Sequence, residues 1–242
     1  MLEINKLNFI KDGNKILNSI SFYASAGEIV TLIGPSGCGK SSILKSIVGI
    51  HKIAGEIILK GKAIQNLPIN LRNTTLVFQD YSLFPHLSTF ENMKIACNDR
   101  SKILGILEEF EILHLKDKFP HEMSGGEQQR VAILRGLIYK PTLLLLDEPF
   151  SNIDAMTTIT FRRKIVEKIK EYGITTIVVT HDLDDVLEMG DRCAVMKKAE
   201  IIQFDTLENI FNVPSNNAVK NLFKDIQFCK SGKAYCKIIK EL

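Results

Sequence analysis

The sequence predicts an α/β fold in which a mainly parallel sheet is flanked by an N-terminal antiparallel β layer and carries an inserted α-helical lobe. Three observations predict it. Leu143 to Leu146 and Ile174 to Val179 are unbroken apolar runs, the pattern of strands covered on both faces. Between them, Ala155 to Tyr172 carries helical periodicity at Ile159, Arg162-Arg163, Ile165, Val166 and Ile169, so strand, helix and strand form one crossover unit. The run Ile29 to Ile33 enters a glycine-rich loop and leaves it as a helical pattern from Ser42 to Gly49, a further strand-to-helix passage.

In chain order, Leu2 to Phe9 and Ile16 to Tyr23 alternate or cluster apolar residues as strands, and Gly55 to Gly61 is a short strand between glycine turns. These make the antiparallel layer. From about Phe84 to Lys140 the signal is helical, at Ser101 to Leu113 and Gly126 to Tyr139, which sets the inserted lobe at about 84–140. Asp205 with Glu208 three residues on reads as a helix-start capping pair. Residues 1–214 therefore read as one domain, and 215–242 as a short basic tail in which Lys220, Lys224, Lys230, Lys233, Lys237 and Lys240 face only Asp225 and Glu241. That tail is too short and too polar for a second substantial domain.

Composition narrows the class. At 242 residues, with 45% hydrophobic and 24% charged side chains, the chain can bury one large core. A net charge of +3 gives no nucleic-acid footprint. No apolar run approaches the roughly 18 residues of a membrane span, and a signal-peptide pattern is lacking, so the protein is expected to stay where it is made. Five cysteines, at 38, 97, 193, 229 and 236, lack metal-type spacing and fit a reducing cytoplasm.

The glycine-rich loop is Gly34-Pro35-Ser36-Gly37-Cys38-Gly39-Lys40-Ser41-Ser42. Its spacing, between a strand and a helix, is that of a phosphate cradle, which makes the core that of a P-loop NTPase. Glycines let backbone amides turn inward toward a β-phosphate. Lys40 then reaches the β- and γ-phosphates of a nucleoside triphosphate, and the Ser41 hydroxyl is placed for Mg²⁺. An ordinary tight turn is the plain alternative, and the full pattern with its flanks outweighs it. Asp147 and Glu148 follow a buried strand at its carboxyl end, where open α/β sheets build ligand sites. Asp147 is assigned to Mg²⁺ and Glu148 to the attacking water; solvated acids before Pro149 are the alternative.

With Gln79, Ser124-Gly125-Gly126-Glu127, the Ser151-to-Asp154 loop and His181 in the same order, the chain resembles the ATP-binding subunit of an ABC transporter from Leu2 to about Pro214. The resemblance implies a head-to-tail dimer of two copies, each ATP held by the phosphate loop of one and by Ser124, Gly125 and Gly126 of the other. It implies that Gln79 contacts Mg²⁺ or the water, that His181 contacts the γ-phosphate and that Asp154 crosses the dimer interface. The Val77-to-Asn92 segment is similar to the importer form of the loop that meets the membrane permease, with Tyr81, Leu83 and Phe84 as its apolar patch. Solute import then follows, with ferric iron, polyamines, thiamine, molybdate or sulfate as cargo and a lean toward ferric iron, an extracytoplasmic binding protein acting indirectly, and a position on the cytoplasmic face of the membrane. A non-transport ABC ATPase of DNA repair or translation and a small-molecule P-loop kinase are the competing readings. Three departures from the family stand out. Lys11 occupies the position of an adenine-stacking aromatic, with Phe9 two residues earlier; Ala199 lies where a turn glycine is usual; and Asn152 replaces a common alanine. Cys38, at a helix N-terminus, is expected to have a lowered pKa and to react readily with alkylators.

Overall fold

The computed structural model describes residues 1–224 and the backbone of 226–228 and 235–237. Two sheets organise it. The antiparallel sheet has the order β2-β1-β4-β5, built from β1 (Leu2–Lys11), β2 (Asn14–Ala24), β4 (Ala54–Leu59) and β5 (Lys62–Ala63). The second has the order β10-β9-β3-β8-β7-β6, with β3 (Ile29–Ile33), β6 (Thr74–Val77), β7 (Leu143–Asp147), β8 (Thr175–Thr180), β9 (Arg192–Lys197) and β10 (Glu200–Thr206). All its pairings are parallel except β9 with β10. The helices are α1 (Lys40–Val48), α2 (Thr89–Lys94), α3 (Arg100–Glu109), α4 (Gly125–Ile138), α5 (Ala155–Tyr172), α6 (Leu183–Met189), α7 (Leu207–Asn212) and α8 (Asn217–Leu222).

The apolar runs are continuous because both faces of the parallel sheet are covered. On β7, Leu144 and Leu146 enter the core shared with α4, α5 and the helical lobe, while Leu143 and Leu145 enter the core shared with α1 and the antiparallel sheet. Period-two alternation thus persists inside an unbroken hydrophobic string. The sheet's carboxyl edge is left to Gly34, Glu148 and His181, the residues that follow β3, β7 and β8.

Three local details differ from the sequence reading. Packing continues past Pro214, because Val219 on α8 and Phe223 just after it are buried against Leu207, Ile210 and Val195. The helix is capped by Asn216, whose side chain accepts from the amides of Ala218 and Val219. Lys230, Lys233 and Lys240 of the basic tail lie outside the described residues. The cap of α7 is Thr206, one residue after the expected Asp205; Asp205 accepts from the Thr206 amide at 2.7 Å. Strand β6 escaped notice because it is four residues long and lies at the sheet edge.

The β9–β10 turn puts Lys198 and Ala199 at φ 48° and 67°. Two successive left-handed residues match a type I′ turn, which prefers Asn-Gly, so a Cβ at 199 is strained. Ala199→Gly is expected to raise unfolding free energy by up to about 1 kcal/mol, read from urea titration. An unchanged or lower midpoint would show that the Ala199 carbonyl, which accepts from the Asn18 amide at 2.8 Å, already holds the turn without strain.

Candidate functional site

Strand β3 stops at Ile33 and the chain wraps tightly before α1. A Cβ on Gly34 would come within 2.3 Å of the Met196 carbonyl, and one on Gly39 within 2.6 Å of the Ile16 carbonyl. Gly37 and Gly39 have φ of 76° and 106°. Gly34 and Gly39 thus leave no room for a side chain, and the left-handed φ of Gly37 favours glycine, which is why the loop has its spacing. Helix α1 has neither a side-chain cap nor an acid in its first turn, so its N-terminal amides are free for an anion. Lys40 is buried and folds back over the loop, its Nζ donating to the carbonyls of Gly34 at 2.7 Å and Pro35 at 3.1 Å.

Next to the loop, the Ser41 hydroxyl donates to Asp147 Oδ1 at 2.8 Å. Burial pushes the Asp147 carboxyl up, against the Ser41 hydrogen bond and the charge of Lys45. Glu148 follows with φ of 48°, its amide donating to the Val179 carbonyl at 2.8 Å. Its Oε2 lies 3.3 Å from His181 Nδ1 and 3.4 Å from Gln79 Nε2. Ser36, Gly37, Gly39, Lys40, Ser41, Ser42, Gln79, Glu148 and His181 line one cleft of about 440 Å³.

Ser124, Gly125, Gly126, Glu127 and Asp154 lie elsewhere, in a second cleft of about 410 Å³ with Tyr81, Arg130 and Asn152. Ser124 and Glu127 form a capping box for α4: the Glu127 amide donates to Ser124 Oγ at 3.3 Å, and Glu127 accepts from the Ser124 amide at 2.8 Å. That amide holds the Glu127 carboxyl below its ordinary pKa. Asp154 caps α5 by accepting from the Thr157 amide at 3.0 Å. Most of the residues picked out by sequence therefore divide between two clefts of one chain, each with a helix N-terminus, while Gly34, Pro35, Cys38 and Asp147 lie behind the lining of the first.

Some expectations change. Cys38 is buried in the same core cluster as Leu44 and Val30, and that burial pushes its thiol up, with Lys40 only opposing it. Alkylation of the folded protein at neutral pH is thus expected to be slow; mass spectrometry showing Cys38 modified as fast as in urea would contradict this. Phe9 is not free for a base, since its ring stacks on His51 with centroids 4.2 Å apart. Ile16, which sequence reasoning passed over as one more strand residue, lines the cleft instead. Of the apolar patch, Tyr81 and Leu83 pack against the lobe core, while Phe84 stays exposed. Nothing in the structure gives Lys11 a role at the cleft.

Comparison with known proteins settles the family, for the profile described as ABC transporter matches residues 17–151, more than half of the chain. The chain belongs to the ABC transporter family. The solved dimeric structure of the ABC cassette MJ0796 in a post-hydrolysis state, bound to ADP and Pi, has a TM-score of 0.78 at 28% identity, covering 86% of this chain and 99% of that one. The chain is 39% identical over 230 residues to the spermidine/putrescine import ATP-binding protein PotA of Mycoplasma capricolum, covering 91% of this chain and 66% of that protein. It is also 39% identical over 212 residues to the Fe(3+) ions import ATP-binding protein FbpC of Fusobacterium nucleatum, covering 84% of this chain and 57% of that protein. The chain thus spans a little under two thirds of the curated ABC relatives it matches. Among the described residues no helix is long and apolar enough to cross a membrane.

Proposed function

We propose that the chain, over residues 1–214 with its lobe at about 84–140 and with α8 packed on its end, is the ATP-hydrolysing subunit of an ABC importer. The observation that carries this is the meeting of Lys40, the Ser41–Asp147 pair, Glu148, Gln79 and His181 in one cleft, with the Ser124–Gly126 helix start held apart in another. A phosphate chain in the first cleft meets the α1 amides and Lys40. Glu148, oriented by His181 and Gln79, takes the proton of the attacking water. The donors fit Mg²⁺: Ser41 and Asp147 offer hard oxygens 2.8 Å apart beside the phosphate cradle, and Gln79 adds an amide oxygen. When bound, the ion neutralises phosphate charge.

The second helix start completes the site of another copy, as expected for a head-to-tail dimer. A groove of about 520 Å³ lined by Ile50, Ile69, Phe78, Phe84, Ile95 and Tyr139 supports docking of a short helix from a membrane permease. This subunit would then sit on the cytoplasmic face of the membrane, and a solute-binding protein would act from the far side. Relatives named for polyamine and for ferric iron import share the same 39% identity, so the choice of cargo rests with the permease and binding protein. The test is phosphate release from Mg-ATP by the purified chain, together with co-purification of its permease. Release that depends on Lys40 supports the reading; nucleotide binding without release, or transfer of phosphate to a small metabolite, contradicts it.

A further inference from the structure

Helix α4 begins in the second cleft, yet one of its side chains ends on the backbone of Glu148, whose carboxylate lines the first. Gln129 is fully buried, and its amide spans two backbone groups of the loop after β7. Nε2 donates to the Glu148 carbonyl at 2.9 Å, and Oε1 accepts from the Asn152 amide at 3.2 Å. Three residues earlier on the same helix face, Gly126 rests on that loop: a Cβ there would lie 2.9 Å from the Asn152 carbonyl. The helix start and the 148–153 loop are therefore docked at two points one turn apart.

The loop needs such support. Glu148 sits in the left-handed region at φ 48°, a conformation that residues with a Cβ keep only where the surroundings impose it. Its amide is fixed by Val179, while its carbonyl accepts from Ser151 Oγ at 3.1 Å and from Gln129. Of these, only Gln129 belongs to another helix, and that helix carries Ser124, Gly125 and Gly126.

We propose that Gln129 is a positioning residue: it holds the Glu148 backbone in its left-handed conformation and passes movement of the Ser124–Gly126 helix start, when that binds the nucleotide of a second copy, to the base of its own cleft. The proposal rests on the reading of Glu148 as general base. Loss of this tether lets the carboxylate drift from His181 and Gln79 without removing it, so chemistry suffers and nucleotide binding does not. Plain buried-amide satisfaction, by contrast, would lower stability and leave the turnover of folded protein alone.

A double-mutant cycle separates the two. Gln129→Met, similar in length but with neither donor nor acceptor, is expected to lower kcat per nucleotide-bound subunit by about 10–100-fold, with KM for ATP changed less than about twofold. Gln129→Glu keeps an acceptor for the Asn152 amide but loses the donor to Glu148, and is expected to lose as much; it serves where the Met variant does not fold. In a Glu148→Gln background, either change should alter the residual rate by less than about twofold, because the base it positions is gone. Full turnover by folded Gln129→Met, or the same fold-loss repeated in the Glu148→Gln background, would overturn the proposal. If Glu148→Gln itself turned over at the normal rate, the base assignment would fall first, and this inference with it.

Discussion

Glu148→Gln is expected to bind Mg-ATP normally and to hydrolyse it about 100–10,000-fold more slowly, the range for loss of a general base. The substitution keeps the side chain's shape and removes its ability to take a proton. It spares the phosphate loop, since Lys40 and Ser41 touch Gly34, Pro35 and Asp147 rather than Glu148. His181 and Gln79 then face an amide in place of a carboxylate, within the same 3.3–3.4 Å. Single-turnover hydrolysis alongside equilibrium nucleotide binding checks this. A rate near that of the unaltered chain would move the base to another residue.

Asp185→Ala is expected to lower unfolding free energy by about 3 kcal/mol, the low end for breaking a buried ion pair. Asp185 and Arg162 are both nearly inaccessible, with Arg162 Nη2 2.7 Å from Asp185 Oδ1, while Thr180 Oγ1 donates to Asp185 Oδ2 at 2.6 Å. Removing the carboxylate strands the guanidinium, whose second partner, Glu188, is 3.2 Å away and more exposed. The low end is chosen because Asp185 Oδ1 and Arg162 Nε lack well-formed hydrogen bonds among the described residues. Thr180 precedes His181, and its Oγ1 also accepts from the Asp182 amide at 3.0 Å. Turnover should therefore fall along with stability. Chemical denaturation measures the first effect; a loss under about 1 kcal/mol would mean that water replaces the carboxylate.

The phosphate loop was legible because its glycines answer steric demands that leave a fixed spacing, even though the groups they avoid, Met196 and Ile16, are far away in sequence. The crossover of β7, α5 and β8 was legible for a similar reason: burial on both faces turns strands into apolar strings. What escaped depends on partners that local sequence cannot name. Cys38 stands at a helix start, which suggests a reactive thiol, but its side chain points into the core beneath and the burial dominates. Phe9 is an aromatic near the right place, yet His51 takes its face. Arg162 and Asp185 are 23 positions apart, and nothing local in either stretch pairs them. Gln129 stood in view beside the Ser-Gly-Gly motif, and only the fold shows its amide reaching Glu148.

Hydrolysis on this account needs two copies of the chain, because the helix start at Ser124 and the cleft of Lys40 and Glu148 lie apart within one. Sedimentation equilibrium of the Glu148→Gln protein measures this directly. With Mg-ATP the protein should sediment as a dimer and without nucleotide as a monomer, and adding Ser124→Arg should restore the monomer while ATP remains bound. A Glu148→Gln protein that binds ATP and stays monomeric at high concentration, or a dimer indifferent to Ser124→Arg, would contradict it.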